Sequence, residues 1–437
     1  MTEQLGTSLF LPSRILPAEI LSSIFLHCAD LDGALNAINT IDTPLLLTKV
    51  CSGWRSVALL TQNLWSRLFL NINPNSIHQT SLVSTWLDRA GTCPLQIYLI
   101  WQTPPFLSSH PVLDILTEHS HHWRNMFIYI PFAAYRSLSP IKGNLPMLNE
   151  LSLGTDDDII SDDEDVLDLF EITPQLHSLE CVNVNPDKFN LPWANITKIP
   201  IMSVSVEDCI DILRHTVRLE NGSFICAARA SRPPKPPTAL YHANLRELAV
   251  LSSPFNETVD TRDVFKFLTV PNLRSLRLCN LQSPFGSELV VFLSKINSLE
   301  SLYLRRNHLS EEELLQALEM TPSLEQLTIV SPHGPYLVTN HLFNQLLWRR
   351  THNNDPLMPK LETLDISVDS SMGWPFVQFL KSRWEVNEST EDSPRISHLR
   401  KVSVTVDGDL EEDIIFELET LASAGMVIIV EGIVEDT

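Results

Sequence analysis

Leu273–Leu278 reads LRSLRL, and the same L-x-x-L-x-L spelling stands at Leu245–Val250 (LRELAV), Leu299–Leu304 (LESLYL) and Leu324–Ile329 (LEQLTI). From the first of these four in chain order to the last, the starts are 28, 26 and 25 residues apart. A β-strand points successive side chains to opposite faces, so the fourth and sixth positions of each template share one face and the residues between them share the other. A period of about 20 to 29 residues holds one strand and one helix and is a repeat length of stacked strand–helix arrays.

Outward from this core the pattern loosens. LNELSL at Leu148 and LHSLEC at Leu176 precede it; LETLDI at Leu361 and LRKVSV at Leu399 follow at offsets of 37 and 38, which implies insertions. Helix-like runs stand ahead of the strands: VFKFL before Leu273, ELVVFLSKI before Leu299, EEELLQALEM before Leu324 and WPFVQFLKSRW before Leu399. Pro271, Pro322, Pro359 and the pair Asn297-Ser298 sit where the helix must stop and the chain turn. LVSTWLDRAG with CPLQIYLIW, and VLDILTEHSHH with WRNMFIYI, read as degenerate first repeats. Residues 73–437 are therefore expected to form a leucine-rich-repeat-like α/β solenoid.

The first 72 residues follow another rule. After a tail over 1–13, LPAEILSSIFLHCA from Leu16 sets apolar residues at helical spacing behind Pro17. Asp, Gly and Asn break the pattern, and Pro44 restarts a second helix with Leu46, Leu47, Val50, Cys51, Trp54, Val57 and Ala58 on one side. Thr61 and Asn63 supply turn chemistry before Leu64 and Trp65. Residues 14–72 are expected to form a small helical module, whose core is too small to be very stable alone.

Composition narrows the function. Asp plus Glu outnumber Lys plus Arg by 53 to 31, a formal charge of −22. Nucleic-acid binding needs a clustered excess of cations, so no nucleic-acid partner is expected. Seven scattered cysteines without a C-x-x-C pair suggest reduced thiols rather than a disulfide frame or a zinc site. MTEQLGTSLFLPSR lacks the basic and apolar regions of a secretory signal, and no run reaches the roughly 18 apolar residues of a membrane span. The expected location is cytoplasmic or nuclear, with no membrane partner.

No phosphate-cradling, nucleophile-elbow or zincin motif occurs. His119, His121 and His122 form the best metal candidate, at a spacing that matches no recognised site. Neither cofactor nor metal is expected, and no enzyme. SRPPKPPT at Ser231–Thr238 reads as a proline-stiffened loop. TDDDIISDDEDV at Thr155–Val166 reads as a solvated acidic loop that fails as an EF-hand at Ser161 and Leu167. Function is then expected in surfaces. On the strand positions that alternate with the buried leucines, Arg277, Tyr303 and Arg305 fall on neighbouring repeats, and Arg and Tyr are common interface anchors.

ILPAEILSSIFLHCA followed by LTKVCSGWRSVALLTQNLWSRLFL resembles the F-box, in the form common among fungal F-box proteins with leucine-rich repeats. The resemblance rests on Leu16-Pro17, Glu19-Ile20, Val50-Cys51 with Trp54, and Leu64-Trp65. It implies a substrate-recognition subunit of a ubiquitin ligase, docked on a Skp-type adaptor and through it on cullin and RING subunits, with a protein substrate held by the solenoid. Carried over by position, the adaptor surface involves Leu16, Pro17, Ile20, Leu21, Val50, Cys51 and Trp54. The segment Ala29–Thr43 is longer than in compact F-boxes, and Ser52-Gly53 replaces a basic pair often found there. A non-ligase scaffold built on the same parts stays open, as does the identity of the substrate.

Overall fold

The computed structural model of the chain describes residues 16–31, 44–72, 78–101, 109–155, 166–227, 239–252, 259–331, 334, 336–352, 357–384 and 397–432. The N-terminal tail, SRPPKPPT, residues 156–165 of the acidic run and residues 32–43 lie outside these. The chain is mixed α/β and divides into two compact units, Met1–Ile196 and Thr197–Thr437.

The first unit opens with α1 (Ala18–Leu31), α2 (Leu47–Val50), α3 (Ser52–Leu60) and a 3-10 turn at Gln62–Trp65. It continues with β1 (Arg67–Asn71), α4 (His78–Ala90), β2 (Leu95–Ile100), α5 (Pro111–Glu118), β3 (Trp123–Tyr129), α6 (Phe132–Tyr135), β4 (Glu150–Gly154) and β5 (Ser178–Val182). The five strands pair in chain order and all in parallel. The single helix expected from Pro44 through Ala58 is two, because Cys51 is extended (φ −158°, ψ 170°). Its Sγ accepts the Trp54 N–H at 3.4 Å, so the cysteine caps α3 instead of continuing α2.

Residues 67–71, expected within the helical module, form a strand paired to β2. Trp65 explains the continuity. Its ring is fully buried, its indole N–H donates to the Ala58 carbonyl of α3 at 2.9 Å, and it meets Trp86 of α4 edge-on at 4.9 Å. The Arg89 guanidinium covers it at 4.4 Å. One side chain thus ties the helical segment to the first strand–helix pair.

The second unit runs β6 (Lys198–Val204), α7 (Val206–His215), β7 (Asn221–Cys226), β8 (Leu240–Tyr241), β9 (Glu247–Ser252), α8 (Arg262–Phe267), β10 (Leu268–Thr269) and β11 (Ser275–Cys279). Then come α9 (Gly286–Leu293), β12 (Ser301–Arg305), α10 (Glu311–Glu319), β13 (Gln326–Val330), α11 (Asn340–His352), β14 (Thr363–Asp369), α12 (Trp374–Trp384), β15 (Lys401–Asp407), α13 (Glu412–Ser423) and β16 (Val427–Gly432). Strands β8 and β10 pair with each other. The other nine follow one another in chain order, again in parallel.

Every L-x-x-L-x-L template is a strand, and the four helix-like runs are α8, α9, α10 and α12. Strands β1, β6, β7, β8, β10 and β16 carry neither a template nor a degenerate copy. In β7 the inward positions are Gly222, Phe224 and Cys226, and a Cβ at residue 222 would press on the Phe224 ring and on Leu219. A ring thus fills the place that leucine takes elsewhere. Helix α10 forms where Ser310 and Glu313 close a capping box, with three glutamates in the first turn.

The helices cover one face of the strands. Leu327 and Ile329 of β13 and Leu364 and Ile366 of β14 line one small cavity with Phe343 and Leu346 of α11 and Phe379 of α12. Parallel sheets are normally hidden on both faces. Here burial alternates along β12, β13 and β15, which leaves the second face partly in solvent.

Trp65→Ala is expected to cost about 3–5 kcal/mol, the range for a large buried aromatic. Urea denaturation followed by tryptophan fluorescence checks this, and the helical segment and first strands should lose protection together.

Candidate functional site

The helical segment is packed on one side only. On α1, Leu21 (3% exposed) and Phe25 (0%) stand one turn apart and face inward, while Ile20 (49%) and Ile24 (42%) stand one turn apart and face solvent with Leu16 (37%). Leu46 and Val50, likewise four residues apart, are exposed at 46% and 54%. Pro17 is exposed; Cys51 and Trp54 are half-buried, with the Trp54 ring 4.9 Å from Phe25. Of the seven residues named from the sequence, Leu16, Pro17, Ile20 and Val50 therefore lie on the surface. Leu21 lies in the core, and Cys51 and Trp54 brace the helix junction. Ile24 and Leu46 join the exposed set and were missed; the i, i+4 spacing to Ile20 and Val50 was the available signal.

The second surface is the helix-free face of β11–β16. Register places Arg277 beside Tyr303 and Cys279 beside Arg305, and next to them Thr328 and Val330 of β13. The Arg277 guanidinium lies over the Tyr303 ring at 4.8 Å, a cation–π contact. Arg277 and Arg305 are exposed, and neither makes an ion pair among the described residues.

The turn after β12 begins just past Arg305. Arg306 adopts a left-handed conformation (φ 51°), and Asn307 holds that turn against the preceding repeat. The Asn307 side chain donates to the Leu278 carbonyl at 2.9 Å and accepts the Leu281 N–H at 3.0 Å. The asparagine stands three residues past the last leucine of LESLYL, a position readable in the sequence.

Comparison of the sequence with known protein families and with curated proteins returns no match.

The His121 and His122 rings are 4.0 Å apart, and burial together with its two histidine neighbours lowers the His122 pKa. Among the described residues no group of three His, Cys, Asp or Glu side chains is placed to hold a metal ion. No described helix is long and apolar enough to cross a membrane.

Two residues beyond the sequence reading stand at alternate positions of β14, on the side away from Leu364 and Ile366. Asp365 of β14 has its carboxyl pKa raised, chiefly by burial, against a lowering by Lys401 and a further rise from Glu431. Ser367, two residues on, is 1% exposed and its hydroxyl has no partner among the described residues.

A raised folded-state pKa means the native state binds more protons than the unfolded chain, so Asp365 costs stability as pH rises through that window. Asp365→Asn is expected to raise the melting temperature at pH 7, with the gain shrinking to nothing below the ordinary carboxylate range. Thermal scans from pH 3 to pH 7 test the sign.

Proposed function

We propose that this chain is the substrate-recognition subunit of a Skp-cullin-F-box ubiquitin ligase. In this reading residues 14–72 are an F-box that docks on a Skp-type adaptor, and the parallel strand–helix array is a leucine-rich-repeat-like solenoid that binds the protein to be ubiquitinated. The observation that carries it is the pair of apolar stripes, Leu16/Ile20/Ile24 and Leu46/Val50, left in solvent on a segment whose opposite side is fully packed. Large apolar side chains repeated at helical spacing on an exposed face are a docking signature. Three of these five, Leu16, Ile20 and Val50, are among the residues through which the sequence resembles an F-box. Leu21 supports that surface from the core, Cys51 caps α3, and the Trp54 ring packs α3 against Phe25 of α1.

The proposed mechanism needs no catalytic group on this chain. Adaptor and substrate bound at once raise the effective concentration of acceptor lysines beside the charged ubiquitin carrier. The Arg277–Tyr303–Arg305 patch on β11 and β12 is the proposed substrate contact, because its two guanidiniums are exposed and unpaired among the described residues. Carboxylate or phosphate is the chemistry that Arg binds bidentately.

Co-expression with a Skp-type adaptor and its cullin tests the docking. The wild-type chain should recover both proteins. Ile20→Glu with Val50→Glu should weaken adaptor binding at least about hundredfold, or about 3 kcal/mol, while leaving the melting temperature within a few degrees because both residues are exposed. Unchanged adaptor recovery by that variant would sink the reading, and adaptor without cullin would favour the non-ligase scaffold. Arg277→Glu with Arg305→Glu should retain adaptor and cullin and lose the substrate.

A further inference from the structure

The open face of β11–β16 carries its charge in two blocks. Arg277 and Arg305 stand on β11 and β12, where the residues sharing their side, Ser275, Ser301, Tyr303 and the buried Cys279, carry no carboxylate. Strand β13 contributes neutral Gln326, Thr328 and Val330. Strands β14 to β16 present Asp365, Asp369, Asp407 and Glu431 against one cation, Lys401.

This segregation works against the fold. Opposite charges on neighbouring strands stabilise a sheet and like charges directly opposite destabilise it. Here Asp369 sits in register with Asp407, and the nearest unpaired arginines are two strands away. Asp407 accepts from the Tyr336 hydroxyl at 2.7 Å, and Asp369 accepts the Ser371 N–H at 2.9 Å, which leaves both without a cationic partner among the described ion pairs. Between Asp365 and Asp369, on the same side of β14, lies the Ser367 hydroxyl, buried and unpartnered. The bonds from Tyr336 and Ser371 satisfy part of this charge, and a ligand with matching charges would offset what they leave.

We infer that this face binds an extended peptide segment laid across the strands, with an anionic block over Arg277, Tyr303 and Arg305 and a cationic block over Asp365, Asp369 and Asp407. Adjacent strands are about 4.8 Å apart, so β12 to β14 spans about 10 Å and β11 to β15 about 19 Å. An extended chain advances about 3.3 Å per residue, so the two blocks of the ligand stand about three to six residues apart. The intervening residues are uncharged, as they pass over Gln326, Thr328 and Val330. The inference rests on the reading of this face as the substrate surface and is independent of adaptor docking.

Two fluorescein-labelled peptides of identical composition test it: EEEGSGSKKK, with segregated charge, and EKEGSGSKEK, with mixed charge. Fluorescence polarisation on the full chain should give the segregated peptide at least tenfold tighter binding. Arg277→Glu with Arg305→Glu should erase that preference, and so should the near-isosteric triple Asp365→Asn, Asp369→Asn, Asp407→Asn, with circular dichroism confirming that each variant is folded. Equal binding of the two peptides overturns the inference, as does an Asn triple that keeps full preference. If the triple misfolds, Asp369→Asn alone, at an exposed site, should still reduce the preference, and no reduction counts against the inference. Adaptor recovery measured on the same preparations separates the two proposals, since an intact adaptor complex without peptide discrimination rejects only this one.

Discussion

From β7 through β9 and β11 to β16, neighbouring strands pair in parallel and position for position, and the layout of the second unit follows from that register. Leu248, Leu276, Leu302, Leu327, Leu364 and Val402 stand in one line across six strands, and Val250, Leu278, Leu304, Ile329, Ile366 and Val404 in the next. All twelve are buried. Each buried leucine contributes on the order of 2 kcal/mol, and a slip of one residue would turn a whole strand's set to solvent. Because the strands are added in one direction and parallel crossovers are right-handed, the connecting helices collect on one side. The opposite side is left to carry whatever the alternate residues supply.

That division of labour frees the open rows from packing. Thr328, Asp365 and Ser403 line up beside Tyr303 and Arg277 with no helix against them, so their chemistry is set by neighbours in the row. Arg277 lies over the Tyr303 ring, and the strand that carries Arg305 ends in a left-handed turn that Asn307 anchors to the repeat before it. The side chains that hold the repeats together thus lie beside the groups proposed to contact a substrate.

The helical segment obeys a different constraint. Helix α1 spans 14 residues but α2 only four and α3 nine, and Trp65 extends their small core by burying its ring against Trp86 while its N–H reaches back to Ala58. Rigidity is thereby borrowed from the first strands. The inner stripe of Leu21 and Phe25 is used in packing, and the outer stripe of Leu16, Ile20 and Ile24 is left for a partner under the proposed function. Leu60, at 80% exposed, is a further apolar side chain the segment does not bury.

Spacing along the chain was enough to locate the strands of the eight leucine templates, the helices between the regular ones, and the neighbourhood of Arg277 and Tyr303, because period-2 burial and a fixed repeat length are one-dimensional signals. It also marked the apolar wealth of residues 16–65. Only the tertiary structure decided which of those apolar residues are spent on packing: Leu21 and Ile20 are adjacent and similar, and their burial depends on where α3 and the 3-10 turn come to rest. Strands β6 and β7 escaped because Ile, Met, Phe and even Gly222 serve at inward positions when a neighbouring ring fills the volume, which no spacing rule records. The break at Cys51 was hidden for a similar reason, since a helix interrupted by one extended residue keeps its apolar spacing. The opposition of arginines on β11 and β12 to carboxylates on β14 to β16 exists only through register, which brings residues 277, 303, 365 and 407 onto one face from positions 130 residues apart in the chain.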